Sequence, residues 1–266
     1  MNQNHFLVVG DDKRQKYLAE ELRQKGHLVA QANEILQGDF EALLLPLSKT
    51  AKYVREFHDK FASGQLVFGC NFPEEIVDIC DETGVHFVDY MKVAGVACKN
   101  AVVTAEATMV EAIRQGECAL YGSRCLVAGY GRCGEVLAQR LVLMGAKVTV
   151  LDRNVEKRSK AQGVVPAVYS FENVPDAILT RQDFVFNTVP APVITKRMIH
   201  RFNPAVTILD LASAPGGVDF ETCRKRKISA RLCPGLPGIH APKTSKAKPS
   251  VRHYDSGRLF FMQNKK

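Results

Sequence analysis

Three glycines and one aspartate form the pattern in this sequence that most directly suggests chemistry. Gly129, Gly131 and Gly134 have Gly-x-Gly-x-x-Gly spacing after an apolar run, and Asp152 lies 23 positions beyond Gly129. The first glycine permits a tight turn, the second lets a pyrophosphate approach the backbone, and the third lets the next helix pack closely. An acid ending the second strand can accept hydrogen bonds from an adenosine ribose. The residues predicted to bind a dinucleotide here are Gly129, Gly131, Arg132, Cys133, Gly134, Asp152 and Arg153.

The residues around Asp152 leave the choice between NAD and NADP open. Asp152 would repel a 2′-phosphate, whereas Arg153, Lys157 and Arg158 could bind one. These three basic residues could equally be solvated charges on a helix. Both nucleotides therefore stay candidates.

Two loops follow later predicted strands, where open parallel sheets bind their ligands. One reads Asn187-Thr188-Val189-Pro190, and the other runs from Asp210 to Gly217. Ordinary turns rich in proline and glycine are the alternative interpretation. The residues expected to contact the nicotinamide ribose or the substrate are Asn187, Thr188, Pro190, Asp210 and Ala212.

A third segment, Pro234–Thr244, is too rich in proline and glycine for a regular strand or helix. Lys243 could attract a substrate carboxylate, although a single lysine is more often a solvated charge. His240 is the side chain in this segment that titrates near neutral pH.

Short apolar runs alternate with amphipathic stretches, which is typical of parallel sheets covered by helices. The predicted strands are His5–Gly10, Leu28–Ala30, Ala42–Leu45, Leu66–Phe68, His86–Asp89, Arg124–Ala128, Lys147–Leu151, Phe184–Asn187, Thr207–Asp210 and Ile228–Leu232. The helices predicted in the first half are Lys13–Lys25, Ala51–Phe61 and Glu74–Thr83, and a helix over Val102–Gln115 links the two halves. We therefore predict an α/β chain with an N-terminal domain at 1–117, including the linking helix, and a Rossmann domain at 118–245. A single long sheet is the alternative.

The composition excludes several classes of protein. Of the 266 residues, 46% are hydrophobic and 24% are charged, which is the balance of a folded globular chain. None of the eight cysteines forms a Cys-x-x-Cys pair, so we expect no metal site of the zinc type. We expect no leader peptide, and we see no uncharged run of membrane-spanning length in the sequence. We therefore expect a cytoplasmic protein with reduced thiols and no membrane partner.

The basic charge is concentrated at the end of the chain. The formal net charge is +8, but residues 243–266 carry seven basic residues and one acid, a net +6, which leaves +2 for residues 1–242. The balanced body shows no interleaving of basic and aromatic residues, so we expect no nucleic-acid partner. Pro249 and Gly257 interrupt any helix in residues 246–266, which we predict to be a basic, disordered tail.

Longer strings of this sequence resemble a known family. Ile208–Phe220 reads ILDLASAPGGVDF and Pro234–Thr244 reads PGLPGIHAPKT, and shorter matches lie at Val9–Gln15, Leu45–Ser48 and Thr104–Glu106. Together with the glycine turn, they resemble the A subunit of bacterial dipicolinate synthase. The resemblance implies a flavodoxin-like N-terminal domain followed by a Rossmann domain. It also implies NADP-dependent oxidation of dihydrodipicolinate to dipicolinate during sporulation, together with a flavoprotein-like B subunit. A homo-oligomer is compatible with this plan.

The implied substrate has two carboxylates, so we expect its site to contain cationic and hydroxyl side chains that donate hydrogen bonds to them. Arg14 and Ser48 are the expected substrate-binding residues. Thr104, Glu106 and Lys243 are the expected catalytic residues, with Glu106 as the proton acceptor.

The end of the chain departs from the family. After Thr244 the family continues into a helix with an apolar stripe, but residues 245–266 contain no such stripe. We hypothesise that residues 246–266 are a frameshifted or otherwise truncated terminus.

Other interpretations compete with this one. A 2-hydroxyacid dehydrogenase would need a histidine–acid pair with an arginine on the Rossmann loops, and Asp210–Gly217 has neither histidine nor arginine. An adenosylhomocysteinase-like protein would be much longer. A regulatory module that binds NAD(P) without catalysis is the alternative from a different class.

Overall fold

The computed structural model describes residues 3–31, 40–47, 50–58, 61–93 and 95–246. Strands alternate with helices along these ranges. The strands are β1 (His5–Val8), β2 (Leu28–Gln31), β3 (Ala42–Leu44), β4 (Leu66–Gly69), β5 (His86–Asp89), β6 (Arg124–Ala128), β7 (Lys147–Leu151), β8 (Ala167–Tyr169), β9 (Phe184–Asn187), β10 (Thr207–Asp210) and β11 (Ser229–Leu232). The helices are α1 (Lys13–Gln24), α2 (Thr50–Phe57), α3 (Glu74–Thr83), α4 (Val96–Gln115), α5 (Arg132–Leu143), α6 (Val155–Gln162), α7 (Asp176–Leu179), α8 (Lys196–Ile199), α9 (Phe220–Lys225), α10 (Leu236–His240) and α11 (Pro242–Ser245).

The chain divides into two compact units. The described residues up to Val96, together with Lys246, form the first unit, and Ala97–Ser245 form the second. Each unit contains one sheet, and every strand pairing in both sheets is parallel. This confirms the predicted α/β class with two parallel sheets and rules out a single long sheet.

The sheet of the first unit has five strands in the order β2-β1-β3-β4-β5, which is the flavodoxin-like order. Successive residues of β1 point to opposite faces, so Phe6 and Val8 pack into one apolar cluster and Leu7 into another. Because both faces are covered, β1 is apolar from Phe6 to Val8 rather than alternating.

The sheet of the second unit has six strands in the order β11-β10-β9-β6-β7-β8, which is the doubly wound dinucleotide-binding order. In β6, Cys125 and Val127 pack into the cluster on one face, and Leu126 and Ala128 pack into the cluster on the other. The strand order reverses between β6 and β9, which run side by side at the centre of the sheet. Ligands of such sheets bind at the carboxyl ends of the strands at this reversal.

The linking helix differs from the sequence-based assignment. The sequence assigns it to the N-terminal domain with a boundary at residue 117, whereas the contacts place the division at Val96. The physical reason is packing, because Ala105, Ala107 and Ala112 of α4 are buried in the core cluster of the second unit. The helix also begins at Val96, six residues before the predicted start.

Some predicted features fall outside the described residues. They include Ser48 and all of the predicted disordered or frameshifted tail except Lys246. Lys246 itself pairs with Glu21 of α1, with Nζ 2.6 Å from Oε2. In the described part of the chain, no helix combines the length and apolar character needed to cross a membrane. Those same residues contain no group of three or more potential metal ligands.

Candidate functional site

The glycine turn lies between β6 and α5, at the carboxyl edge of the second sheet. Gly129 has a φ of +92°, and a side chain there would also press against Thr188 Oγ1. A Cβ on Gly134 would collide with the carbonyl oxygen of Gly129. A Cβ on Gly131 would meet no atom within 4 Å. The first and third glycines are therefore required by the protein itself, and the second leaves open space beside the backbone.

The amino end of α5 faces this turn without a side-chain cap. Its N-cap is Gly131, which offers no capping oxygen, whereas α1, α6 and α9 are capped by Asp12, Asn154 and Asp219. The first N–H groups of a helix and its dipole together favour an anion. The uncapped helix and the open backbone at Gly131 thus fit the pyrophosphate of a nicotinamide dinucleotide.

Asp152 directly follows β7 and is joined to the glycine turn. Its Oδ2 accepts the main-chain N–H of Tyr130 at 2.7 Å, and its Oδ1 accepts that of Asn154 at 2.8 Å. The residue is only 5% exposed. The two hydrogen bonds fix the carboxylate where a ribose bound across this turn would reach the second strand.

Arg132, Cys133 and Arg153 differ in what they present to a ligand. Arg132 and Arg153 are exposed, whereas Cys133 is half-buried. Burial raises the pKa of the Cys133 thiol despite the charge of Arg132, so this thiol is a poor nucleophile.

Asn187 and Asp210 join two loops at the carboxyl edge of the sheet. Both are fully buried, and Asn187 Nδ2 donates to Asp210 Oδ1 at 2.8 Å and to the carbonyl of Val189 at 3.0 Å. Asp210 also accepts the main-chain N–H groups of Ala212 at 3.0 Å and of Gly217 at 2.7 Å. These hydrogen bonds position the two loops, and contact of the loops with the cofactor or substrate stays a prediction.

The remaining residues of these loops vary in accessibility. Thr188 is half-buried, and its Oγ1 donates to the carbonyl of Ala128 at 3.0 Å, which ties the loop after β9 to the end of β6. Pro190 is exposed, and Ala212 is buried with its N–H bound to Asp210. The structure therefore brings the loops after β6, β9 and β10 together, as their place at one sheet edge predicts.

A histidine–carboxylate pair joins α10 to α4 in the second unit. His240 Nε2 lies 2.7 Å from Glu111 Oε1, and Gln115 Nε2 donates to Glu111 Oε2 at the same distance. Burial raises the pKa of Glu111, but the hydrogen bonds from Gln115 and His240 outweigh it and leave that pKa below its ordinary value. Sequence reasoning identified His240 and missed Glu111. The sequence signal for Glu111 is an acid on the buried, alanine-rich face of a helix.

Thr104 and Glu106 lie on α4 and have different partners. Residues two apart on a helix point in different directions. Thr104 Oγ1 donates to the carbonyl of Asn100 at 2.7 Å, and the exposed Glu106 forms an ion pair with Arg140 of α5 at 3.3 Å. Lys243 is exposed on α11.

Arg14 belongs to the first unit, at the start of α1. Its guanidinium is buried and donates to Asp12 Oδ2 from Nε at 3.0 Å and from Nη2 at 2.7 Å. Asp12 Oδ1 accepts the N–H groups of Arg14 and Gln15 and so caps α1. Hydrogen bonds to Asp12 therefore fix the loop after β1 against the first turn of α1.

Part of the chain matches a known domain family. Residues 98–203 match the family described as "D-isomer specific 2-hydroxyacid dehydrogenase, NAD binding domain". The match contains the glycine turn, Asp152 and the loop after β9. It supports an NAD-binding domain of the dehydrogenase type in the second unit.

Individual proteins give a more specific likeness. The chain is 37% identical over 154 residues to the A subunit of dipicolinate synthase from Bacillus subtilis (strain 168), a match covering 56% of this chain and 50% of that relative. The aligned part thus spans half the length of the relative. The crystal structure of the dipicolinate synthase A subunit from Bacillus halodurans is 27% identical, with a TM-score of 0.81, and the match covers 92% of this chain and 94% of that chain.

A second solved structure, the A chain of dipicolinate synthase from Bacillus subtilis, shares the fold. It is 24% identical with a TM-score of 0.78, and the match covers 92% of this chain and 93% of that chain. These findings confirm the resemblance predicted from the sequence motifs: the chain resembles the A subunit of dipicolinate synthase, and its second unit carries a nicotinamide-dinucleotide-binding domain of the dehydrogenase type.

Proposed function

We propose that this chain oxidises dihydrodipicolinate to dipicolinate with a nicotinamide nucleotide, as the A subunit of a two-subunit dipicolinate synthase. The observation that carries the proposal is the likeness to the protein from Bacillus halodurans over 92% of this chain. An intact glycine turn with a fixed Asp152 supports it, because the reaction needs a bound hydride acceptor.

The proposed chemistry is a two-electron oxidation that makes the ring aromatic. The ring of dihydrodipicolinate loses a hydride and a proton, and a bound oxidised nicotinamide supplies the hydride acceptor. The chain's own task is to hold the pyrophosphate at the amino end of α5 and the ribose at Asp152. Asn187 and Asp210 hold the loops beside that site in fixed positions. The fixed loops would orient the reacting ring.

Substrate recognition requires charge-assisted hydrogen bonds to two carboxylates. We propose Arg14 and Lys243 for this role because Arg14 is oriented by Asp12 and Lys243 is exposed on α11. Ser48 and Thr104 stay proposals as hydroxyl donors. Thr104 would have to exchange its present bond to Asn100 for one to the substrate.

Glu106 is our proposed proton acceptor, although its carboxylate already has an ion-pair partner. Its carboxylate is paired with Arg140 and would have to leave that ion pair to receive a proton. Glu106→Gln should lower kcat by about 100-fold or more if Glu106 is the base. Glu221→Gln, which removes an acid ion-paired with Lys225 on α9, serves as the matched control and should leave kcat unchanged. Full activity of Glu106→Gln would remove Glu106 from the mechanism.

The proposed setting follows from the reaction. A flavoprotein-like B subunit is the expected protein partner, and the cytoplasm of a sporulating cell is the expected compartment. NADP is the nucleotide that the family resemblance implies, and NAD is the alternative.

Reconstitution tests the proposed function directly. Purified chain, purified B subunit and freshly generated dihydrodipicolinate should give dipicolinate with either nicotinamide nucleotide, and omission of this chain should abolish it. Binding of the nucleotide without any turnover in the complete mixture would favour the regulatory module instead.

A 2-hydroxyacid dehydrogenase is the second candidate, favoured by the match at residues 98–203 and by the His240–Glu111 pair. That pair supplies the histidine and acid that the loop at Asp210–Gly217 lacks. This alternative predicts that the chain oxidises simple 2-hydroxy acids with NAD. It also predicts that His240→Asn abolishes this activity. The proposed function predicts no such activity, and only a stability effect from the same substitution.

A further inference from the structure

We infer that this chain binds NAD(H) in preference to NADP(H), and that the carboxylate of Asp152 makes the choice. The inference rests on the proposed nicotinamide-nucleotide site and specifies which nucleotide occupies it. It departs from the NADP dependence implied by the family resemblance, because the residues around Asp152 do not form a site for a 2′-phosphate.

The position of Asp152 places it beside the ribose subsite. β7 pairs with β6 so that Leu151 lies opposite Ala128, and Asp152 and Gly129 therefore leave the sheet side by side. The hydrogen bond from Tyr130 N–H to Asp152 Oδ2 joins the carboxylate to the turn itself. A dinucleotide bound over this turn carries its adenosine ribose to the end of the second strand.

The carboxylate of Asp152 is fixed as well as close. Tyr130 and Asn154 hold one oxygen each, and very little of the residue reaches solvent. Each oxygen retains a lone pair that can accept a hydrogen bond from a ribose hydroxyl. A 2′-phosphate would instead bring negative charge against a carboxylate that cannot turn away and is poorly screened by water.

The strongest nearby cation is already committed to the backbone. Arg158 is half-buried, and its Nη1 donates to the main-chain carbonyls of Asp152 at 2.9 Å and Arg153 at 2.8 Å. Its guanidinium therefore shapes the loop after β7. To bind a 2′-phosphate, the guanidinium N–H groups of this arginine would have to point toward the ligand.

The next helix offers no free anion site either. Asn154 Oδ1 accepts the main-chain N–H of Lys157 at 2.9 Å and so caps α6. The basic side chains that follow Asp152 and stay available are those of Arg153 and Lys157, both exposed. Exposed ion pairs contribute little, so these two side chains would not offset the repulsion from a buried carboxylate.

Direct binding of the two reduced nucleotides tests this inference. Fluorescence titration of the purified full-length chain, without substrate or partner protein, should give a Kd for NADH at least about tenfold lower than that for NADPH. Asp152→Asn should narrow this ratio by strengthening NADPH binding. Asp183→Asn makes the same chemical change at the opposite edge of the sheet, where Asp183 accepts the N–H of Arg124, and should leave the ratio unchanged.

The failures of the two proposals are distinguishable. NADPH binding equal to or tighter than NADH binding in the wild type would overturn this inference and leave the proposed function standing. Binding of neither nucleotide would overturn both. If Asp152→Asn does not fold, the double variant Arg153→Ala, Lys157→Ala gives the second test. It should leave NADPH affinity unchanged, and a marked loss would show that a 2′-phosphate site exists after all.

Discussion

At the residue scale, Asp210 illustrates how a buried charge can hold together the loops of a candidate site. Its carboxylate has no exposure to solvent and accepts hydrogen bonds from three donors, namely Ala212 N, Gly217 N and Asn187 Nδ2. A buried carboxylate is tolerated only when such donors are present. The three bonds connect the end of β9 with the loop after β10.

Asp210→Ala should therefore destabilise the second unit strongly. Three buried donors would lose their acceptor, and each unsatisfied group costs about 1–3 kcal/mol, so we expect a total loss of about 3 kcal/mol or more. Asp176→Ala is the matched control because it removes an exposed carboxylate paired with Arg201 and should cost less than about 1 kcal/mol. Urea unfolding of both variants measures the difference, and equal losses would contradict the role of Asp210.

Gly131 makes the cofactor site testable without disturbing the fold. Its φ is −84° and a Cβ would meet no protein atom, so Gly131→Asp should fold normally. The new carboxylate would occupy the pyrophosphate position with a like charge and should abolish binding of NADH and NADPH. Gly163→Asp places the same side chain in a roomy position at the end of α6 and should bind both normally. Undiminished affinity in folded Gly131→Asp would remove the basis for this site.

The glycine turn could be predicted from the sequence because the turn requires backbone freedom that glycine provides. The glycines themselves therefore mark its position. The role of Asn187 and Asp210 could not be predicted. Both end strands at the carboxyl edge, where ligand contacts are expected, and only their burial distinguishes a positioning residue from a ligand-binding one.

At the scale of elements, the His240–Glu111 pair fastens a short helix to a long one. α10 has five residues and is too short to be stable by itself, so its place depends on tertiary contacts. The contacts include the hydrogen bond to Glu111 of α4 and the burial of Leu236 in the core of the second unit.

His240→Ala should lower the free energy of unfolding by about 1–2 kcal/mol near neutral pH, because Glu111 loses a hydrogen bond while it stays buried. Folding lowers the pKa of Glu111 below its ordinary value of 4.5, so the ionised carboxylate stabilises the folded state. This stabilisation is complete above pH 4.5 and is lost as the pH falls through the lowered pKa of the folded state. The stability difference from wild type, measured by urea unfolding across pH, should therefore shrink below pH 4.5.

His200→Ala is the matched control for this prediction. His200 is an exposed histidine at the end of α8 in the same unit, and its loss should change stability little at any pH. An effect of His240→Ala no larger than that of His200→Ala would show that the pair does not hold α10 in place.

Elements with a clear apolar or periodic pattern were predictable, and short elements without such a pattern were not. The bounds of β5, β6, β7, β9, β10 and α3 agree with the sequence-based prediction to the residue. β8 was missed because it has three half-buried residues at the edge of the sheet and follows a proline, which leaves no alternation to detect. The same limit applies to the four-residue helices α7 and α8. The prediction of neither helix nor strand in Pro234–Thr244 was wrong, because this segment contains the short helices α10 and α11.

At the scale of the whole molecule, two parallel sheets belong to separate units, and a glycine follows soon after the first strand of each. Only the second sheet continues into a Gly-x-Gly-x-x-Gly turn with an uncapped helix, while in the first unit Asp12 caps α1. This asymmetry favours the second unit as the site of the nucleotide, and it was visible in the sequence. The division at Val96 was not, because the packing of α4 depends on contacts distant in sequence.

In the proposed reaction, a hydride passes from the substrate ring to a nicotinamide held by this chain. The most direct measurement uses dihydrodipicolinate labelled with deuterium at the ring carbon that is oxidised. It is turned over by this chain with its partner protein and NAD, and the reduced nucleotide is analysed by mass spectrometry. We predict one deuterium in each NADH, formed in equal amount with dipicolinate, because direct hydride transfer excludes exchange with water. Dipicolinate formed with unlabelled NADH, or with no NADH, would contradict the claim.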